Sequence, residues 1–332
     1  MRFSEFFYAW LYGPRGYYAS FKDIGKSGDF FTAVSATPLF GGAIARYIWR
    51  RIRDGKLSRR ATIVEIGAHR GYLLADIVQF LYTFDPTLID TLRFTIIEPF
   101  GNLQSIQKEY FRQSFGERVK LRHYKDLSQA HFDEAFVVAN EIFDAFPCEL
   151  VFKGQMAYVE DFVVHWGEMD ADIAAHCERY GIQKGEVALG YRSFAAKLYA
   201  ACERCEFVSF DYGDLEPRND FSIRIYAKHR VFPFFEEGLD IASLFGRSDI
   251  TYDVHFGHLI DSFTAVGFAK NAYATQLKAL VEFGITELLE TILEKAGFEA
   301  YKRELEKVKI LIAPDQMGER FKMVHFTKNI DG

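Results

Sequence analysis

The chain has 332 residues, of which 49% are hydrophobic and 26% are charged, and its formal net charge is −6. This composition is typical of a folded globular protein and excludes a disordered chain. The acidic balance disfavours a nucleic-acid binder, because such proteins usually present a basic face. No stretch approaches the roughly 20 apolar residues of a membrane-spanning helix, so we expect no membrane span.

The first 60 residues are predicted to form helices joined by a loop. Residues 3–12 have a helical pattern, which Gly13 and Pro14 then break. A polar, glycine-containing loop is expected over 17–36, and Pro38 fits the first turn of a second long helix. The N-terminal segment has neither a signal-peptide nor a transit-peptide composition, and we therefore expect a cytoplasmic location.

From residue 61 onward, apolar strands alternate with helices. The predicted strands are 61–66, 94–97, 135–139, 207–212 and 321–327, and the predicted helices are 72–84, 103–115 and a group within 276–308. This alternation is typical of an α/β protein with a parallel sheet and helices on both faces, and the last strand is expected to be antiparallel. Residues 151–190, with a hairpin expected to be exposed over 156–166, and residues 213–257 interrupt the pattern. We therefore expect one core over 61–332 with two insertions.

The turn after the first predicted strand is a candidate ligand site, since open α/β sheets bind ligands beyond the carboxyl ends of their strands. Gly67 and Gly71 permit a sharp turn and a close approach to a ligand, and Glu65 could hold backbone or a ligand amino group. The glycine spacing is not the G-x-G-x-x-G of dinucleotide sites, which disfavours a nicotinamide dehydrogenase. Taken alone, the pattern also fits an ordinary strand-to-helix turn.

The end of the second predicted strand strengthens this hypothesis. Glu98 has two acceptor oxygens that match the two vicinal hydroxyls of an adenosine ribose, although a solvated strand end is the simpler interpretation of this residue alone. An acidic lining suits S-adenosylmethionine (SAM), which carries no phosphate. The third strand ends on Asn140, Glu141 and Asp144, and three polar groups after an apolar strand indicate a binding site at the same sheet edge.

The order and spacing of these segments resemble the MidA-type SAM-dependent methyltransferases. The most specific segments are Gly28-Asp29-Phe30-Phe31-Thr32 and the run from Asn140 to Pro147. Further matching segments are 40–41, 65–71, 98–99, 211–213, 249–254 and 318–322. The resemblance implies a class I SAM-methyltransferase (Rossmann-like) fold, SAM as the cofactor and an arginine on a protein as the methyl acceptor. The family includes a mitochondrial assembly factor that methylates an arginine on a respiratory complex I subunit.

The resemblance also implies roles for individual residues. The expected cofactor-binding residues are Gly28, Asp29, Phe30, Thr32, Glu65, Gly67, His69, Gly71, Glu98 and Asn140. The loop over 17–36 is expected to close over SAM as a lid. Glu141 and Asp144 are expected to face the acceptor guanidinium as catalytic residues, while Tyr212 and Asp253 contribute to the acceptor cleft. Asp144 could instead serve as a helix N-terminal acid. No metal is expected.

Two segments depart from the family pattern. After residues 211–213 the family tends to a Gly-Thr-Leu strand, whereas residues 221–226 read Phe-Ser-Ile-Arg-Ile-Tyr here. The family turn usually reads Gly-Pro-Gly-Arg-Gly, and here His69 replaces the central glycine. The side chain either tucks away and adds a contact or weakens SAM binding. This leaves two hypotheses open: an active methyltransferase whose partner is a protein substrate such as a respiratory-complex subunit, or a catalytically lapsed fold that acts as an assembly or interaction factor.

Overall fold

The computed structural model describes residues 1–19, 32–227 and 230–330. The helices in these ranges are α1 (Phe3–Leu11), α2 (Ala33–Ala36), α3 (Leu39–Arg53), α4 (Tyr72–Phe84), α5 (Leu88–Thr91), α6 (Gly101–Phe115), α7 (Ala171–Tyr180), α8 (Tyr191–Ala201), α9 (Ile241–Leu244), α10 (Phe256–Thr264), α11 (Gln276–Phe283), α12 (Ile285–Ala296), α13 (Phe298–Ile312) and α14 (Met317–Arg320). In this part of the chain, no helix combines the length and the apolar character that crossing a membrane requires.

The strands complete the description of secondary structure. They are β1 (Thr62–Ile66), β2 (Arg93–Ile97), β3 (Leu121–Tyr124), β4 (Phe132–Asn140), β5 (Cys148–Phe152), β6 (Gln155–Glu160), β7 (Val163–Glu168), β8 (Lys184–Ala188), β9 (Cys202–Asp214), β10 (Arg224–Ala227), β11 (Arg230–Pro233), β12 (Asp249–Thr251), β13 (Val254–His255), β14 (Ala269–Thr275) and β15 (Phe321–Lys328). Short 3-10 helices lie at Leu127–Gln129 and Phe143–Ala145.

The chain divides into two compact units. The core unit comprises Phe31–Asn140, Ala195–Asp211 and Phe263–Gly332, and the accessory unit comprises Met1–Phe30, Glu141–Phe194 and Tyr212–Ser262. Both segments predicted as insertions, 151–190 and 213–257, fall within the accessory unit.

The core unit is built on a mostly parallel sheet with the strand order β14-β15-β9-β4-β1-β2-β3. β1 pairs in parallel with β2 and with β4, so that Ile66 lies opposite both Ile97 and Ala139. β14 and β15 pair antiparallel at one edge, which confirms the prediction for the last strand. The chain progresses in opposite directions on the two sides of β1, and this reversal is where such sheets bind their ligands.

The amino-acid pattern explains this sheet and its helices. Every residue of β1 is buried, as expected for a central parallel strand that is covered on both faces. The buried residues of α4 form one apolar stripe, and this helix packs against α3 and β1. Because the crossovers from β1 to β2 and from β4 to β9 run in opposite directions, right-handed connections place helices on both faces.

The accessory unit contains two small antiparallel sheets, β7-β6-β5-β8 and β11-β10-β12. Helix α1 packs against β5, β6 and β12 through Phe3, Phe7 and Trp10, which are fully buried. The predicted hairpin is confirmed as the β6–β7 pair. The prediction that it is exposed is wrong for β6, where Met156 and Ala157 are fully buried, because β6 is an inner strand of its sheet.

Two local predictions differ from the structure. The loop expected over 17–36 ends earlier, since Ala33–Ala36 forms α2. Thr32 caps this helix by accepting a hydrogen bond from the Ser35 N–H at 3.3 Å. The strand β3 is not evident in the sequence, because Leu121–Tyr124 is a polar, partly exposed edge strand without apolar alternation.

Candidate functional site

The turn that follows β1 keeps the backbone shape of a glycine turn. Gly67, His69 and Gly71 have φ values of 70°, 48° and 81°, all in the left-handed region. The Gly67 N–H donates to the Ile97 carbonyl at 3.2 Å, and the Gly71 N–H donates to the Ala68 carbonyl at 2.6 Å. Because the left-handed region is unfavourable for a residue with a Cβ, His69 holds this shape under strain.

Glu65 lies at the end of β1 and is buried. Its Oε2 accepts a hydrogen bond from the Leu74 N–H at 3.0 Å, which ties the strand to the first turn of α4. Burial raises the pKa of Glu65 to about 8, and the nearby carboxyls of Asp76 and Glu98 act in the same direction. The side chain therefore carries its negative charge only partly at neutral pH.

Glu98 follows β2 directly and is also buried. Its Oε1 accepts from the Phe100 N–H at 3.1 Å, and its Oε2 accepts from the Gln107 amide at 3.4 Å. Burial raises the pKa of Glu98 to about 7, although these two donors oppose the shift. A carboxyl with this pKa is poised to ionise when a ligand supplies further donors.

The core unit brings these predicted residues to adjacent strand ends. Glu98 and Asn140 each stand one position beyond the residues that pair with Ile66, at the level of Gly67. This set of acceptors fits SAM, since buried carboxylates can accept hydrogen bonds from ribose hydroxyls and from an ammonium group. Glu65 and Glu98 are both less than 5% exposed, so bulk water competes little for these contacts.

The other predicted cofactor residues do not all lie in the part of the chain that the structure describes. Gly28, Asp29 and Phe30 lie outside the described residues, as does most of the predicted lid. Thr32 is described and caps α2. The pKa of His69 is lowered to about 4, mainly by loss of hydration and to a smaller extent by Arg70, although the residue as a whole is exposed. Its imidazole is therefore neutral at physiological pH.

The accessory unit holds the predicted acceptor residues. Asp144 lies in the 3-10 helix at Phe143–Ala145 and is buried. The Tyr212 hydroxyl donates a hydrogen bond to Asp144 Oδ2 and lies 2.7 Å from Thr251 Oγ1. Burial raises the pKa of Asp144 to about 6, while the Tyr212 hydrogen bond and the charge of Arg224 oppose this rise. Asp144 is thus mostly ionised at neutral pH.

Asp253 already binds two arginines of its own chain. Arg224 Nη1 lies 2.7 Å from Asp253 Oδ1, and Arg218 Nη1 lies 3.1 Å from Asp253 Oδ2. The Arg224 guanidinium also lies over the Tyr212 ring, 4.7 Å from its centroid. An internal arginine therefore occupies the aromatic face and the carboxylate that were predicted to receive the acceptor, and these two roles stay predictions.

Glu141 is half-buried and has a φ of 53°. It contributes, with Asp144, to the negative field around Asp249, whose pKa burial raises well above its ordinary value. The Tyr18 hydroxyl donates to Asp249 Oδ2 at 3.2 Å. The accessory unit thus gathers three acidic side chains, of which Asp144 and Asp249 are buried and Glu141 is half-buried.

Sequence reasoning missed four residues of these sites. Tyr18 lies in the predicted loop, and Arg224 lies in a segment noted only for departing from the family pattern. Gln107 on α6 contacts two predicted cofactor residues of the core unit, and His123 on β3 contacts Gln107. The available signal was weak, because a glutamine in an amphipathic helix usually faces solvent.

Two histidines of the accessory unit lie near each other. His255 ends β13 and His258 lies in α10, with their ring centroids 6.4 Å apart. Within the described ranges, no group of three or more His, Cys, Asp or Glu side chains is arranged to hold a metal ion.

Comparison with known proteins places these sites in context. Residues 43–273 match the sequence profile of a family described as S-adenosyl-L-methionine-dependent methyltransferases. The mitochondrial protein arginine methyltransferase NDUFAF7 of Xenopus tropicalis is 23% identical over 96% of this chain and 80% of its own length. The Caenorhabditis elegans homolog, also named mitochondrial, is 24% identical over 92% of this chain and 78% of its own.

Solved structures agree with the fold. A Burkholderia thailandensis protein crystallised with S-adenosyl-homocysteine (SAH) has a TM-score of 0.85 and 24% identity, covering 100% of this chain and 89% of that one. A native structure from the same organism has a TM-score of 0.82 and 25% identity, covering 100% and 88%. The predicted class I fold is confirmed. The predicted cytoplasmic location is wrong, since the similar curated relatives are named mitochondrial proteins.

Proposed function

Because the chain belongs to this family of SAM-dependent methyltransferases, we propose that it transfers a methyl group from SAM to an arginine side chain of a protein. The predicted enzyme class and the predicted cofactor are confirmed by the family match. The arginine acceptor and the roles of individual residues are our proposal. The name shared by the relatives, protein arginine methyltransferase, supports it.

The core unit supplies the cofactor contacts in this proposal. When bound, SAM supplies a methyl group that its sulfonium has already activated for displacement. Glu98 would accept hydrogen bonds from the ribose hydroxyls, and Glu65 would offer Oε1 to the ammonium, since its Oε2 already accepts from the Leu74 N–H. Gly67 and Gly71 let the backbone approach the ligand closely, since neither carries a Cβ.

The accessory unit supplies the acceptor contacts. A guanidinium is planar and cationic, so carboxylates can bind it bidentately and orient one nitrogen toward the methyl group. Glu141 and Asp144 take this role. As the guanidinium nitrogen forms its bond to the methyl group, the sulfur–methyl bond breaks and S-adenosyl-homocysteine leaves, and the same nitrogen gives up its N–H proton to a carboxylate. Asp144 suits that step because its pKa, about 6, lies close to neutrality.

The observation that carries the arginine assignment is the buried Asp144 carboxyl with its Tyr212 hydrogen bond. A carboxylate fixed by a tyrosine is a stronger and more directional partner for a guanidinium than a solvated one. Arg224 supports the same arrangement, because its charge helps keep Asp144 ionised and its guanidinium fixes the Tyr212 ring from one face.

The acceptor that we propose to test first is a respiratory-complex subunit, as the resemblance to the MidA-type family implies. Purified protein would be incubated with methyl-deuterated SAM and a respiratory-complex preparation, and the methylated residues mapped by mass spectrometry. At a SAM concentration that does not saturate the variant, we expect labelled arginine with the wild type and far less with Glu98→Gln. Label on another residue type would overturn the arginine proposal. SAM binding without any protein label would favour the lapsed, assembly-factor hypothesis that His69 motivates.

A further inference from the structure

Gln107 is a fully buried glutamine in the middle of α6. Its Nε2 donates to the His69 carbonyl at 2.8 Å and to Glu98 Oε2 at 3.4 Å. Its Oε1 lies 2.9 Å from His123 Nε2. Burying an amide is costly unless its hydrogen bonds are satisfied, and here each end of the amide has a partner. The Gln107 side chain thereby links the strained turn, the Glu98 carboxylate and β3.

The link to the turn acts on a residue with an unfavourable backbone conformation. His69 has a φ of 48° between two glycines that also have positive φ. A residue with a Cβ tends to leave the left-handed region unless surrounding contacts hold it there. The Gln107 hydrogen bond fixes the carbonyl of His69 itself. The Gln107 stem also packs against the end of the turn, since its Cγ is 3.5 Å from the place where a Cβ on Gly71 would lie.

His123 determines which way the Gln107 amide points. The amide oxygen only accepts hydrogen bonds, so the contact requires a proton on His123 Nε2. Burial, with a smaller contribution from Lys108, lowers the pKa of His123 to about 4 and keeps the ring neutral. Nδ1 is then an acceptor, and among the described residues it has no hydrogen-bond partner. With Oε1 held by His123, the Gln107 NH₂ group faces His69 and Glu98.

We propose that Gln107 is a positioning residue for the cofactor site: oriented by His123, its amide holds the His69 peptide and the Glu98 carboxylate in the arrangement that binds SAM. This rests on the proposed assignment of the turn and of Glu98 to the cofactor. The hydrogen bond from α6 would also explain how a histidine can stand where the family usually has glycine. It holds the backbone in the left-handed conformation that glycine adopts freely.

The proposal predicts a specific coupling between Gln107 and His69. Calorimetric titration with SAH would compare the wild type, Gln107→Leu, His69→Gly and the double variant. We expect Gln107→Leu to weaken SAH binding about tenfold or more when His69 is present, since the strained turn then relaxes. In the His69→Gly background we expect a loss of about threefold or less, because glycine adopts positive φ freely. In steady-state assays, KM for SAM should rise while kcat changes little.

Controls separate positioning from general packing. Gln113→Leu alters an exposed glutamine on the same helix, whose amide donates to Glu109, and it should leave SAH affinity unchanged. Melting curves would establish that each variant is folded. If Gln107→Leu does not yield folded protein, His123→Phe tests the same inference, since freeing the amide to rotate should weaken SAH binding severalfold.

The possible results separate a failure of the positioning role of Gln107 from a failure of the cofactor-site assignment. Equal losses for Gln107→Leu in the wild-type and His69→Gly backgrounds would overturn the positioning role, because the effect would then not pass through the turn. Unchanged affinity in Gln107→Leu, or in His123→Phe where that variant replaces it, would do the same. If the wild type itself does not bind SAH, the assignment of the cofactor site fails, and the inference fails with it.

Discussion

The two units hold the carboxylates of their candidate sites in contrasting ways. In the core unit, Glu65 and Glu98 are buried against backbone N–H groups and an amide, and their pKa values are raised to about 8 and about 7. In the accessory unit, Asp144 and Asp253 contact a tyrosine hydroxyl and arginine guanidinium groups. The core carboxyls would thus need a ligand to complete their ionisation, whereas burial raises the pKa of Asp144 only to about 6, because the Tyr212 hydrogen bond and the charge of Arg224 oppose the rise.

The largest expected effect concerns Glu98. Glu98→Gln keeps the size of the side chain but replaces one acceptor oxygen by a donor, so that it can no longer accept from both ribose hydroxyls. We expect SAM affinity to fall by about 100-fold, as for the loss of one or two hydrogen bonds to a charged group. Calorimetry would measure it, with the exposed Glu109→Gln as the control on the same region. A loss below threefold would contradict the role given to Glu98.

A change in the Asp144–Tyr212 pair of the accessory unit should alter turnover rather than cofactor affinity. Tyr212→Phe removes the hydroxyl that opposes the rise of the Asp144 pKa. Since only the ionised carboxylate can bind a guanidinium, the acidic limb of the kcat profile should move upward from near pH 6, and kcat at pH 7 should fall about tenfold. KM for SAM should not change. Tyr226→Phe, which alters another ring near Arg224, should leave the limb in place.

The contrast between the units also predicts a pH dependence of cofactor binding. The hydroxyl and ammonium groups of SAM bind best to ionised carboxylates. The pKa values of Glu65 and Glu98 lie above their ordinary range. SAM affinity should therefore increase by about tenfold from pH 6 to pH 8.5, with protons released on binding. Titrations in buffers with different ionisation enthalpies would detect that release. An affinity independent of pH would show that these carboxyls do not ionise on binding.

The smallest expected effect is on stability in the accessory unit. Arg224→Lys keeps the positive charge beside Asp253 but removes the planar group that stacks on Tyr212. We expect a loss of about 1 kcal/mol in the free energy of unfolding and a melting temperature a few degrees lower. Arg218→Lys, at a more exposed site, should change the melting temperature by less. Equal shifts would mean that the stacking contributes nothing.

The sequence predicts the parts of the fold that depend on local patterns. Helix α4 is predicted at 72–84 and found at Tyr72–Phe84, and β1 and β2 differ from their predicted bounds by one residue. These segments have clear periodicity and glycine or proline boundaries. The edge strand β3 and the short helix α2 have neither, since pairing and a side-chain cap decide them.

The same distinction between local patterns and tertiary contacts applies to the residues of the candidate sites. Glu65, Glu98 and Asn140 could be predicted because parallel strands bring their carboxyl ends to one edge. The Tyr18–Asp249 hydrogen bond joins residues 231 positions apart, and the Gln107–His69 bond joins residues 38 apart. Such contacts depend on tertiary packing, which no local pattern encodes. For the same reason, the sequence could not show that Arg224 already stacks on the Tyr212 ring and binds the Asp253 carboxylate.

The most direct test of the account is a crystal structure of this protein with SAH. We predict both ribose hydroxyls within about 2.7–3.0 Å of the Glu98 carboxylate, with the turn from Gly67 to Gly71 retaining its positive φ values. SAH bound away from Glu98, or a turn that abandons the left-handed conformation at His69, would contradict the assignment of the cofactor site to the ends of β1 and β2.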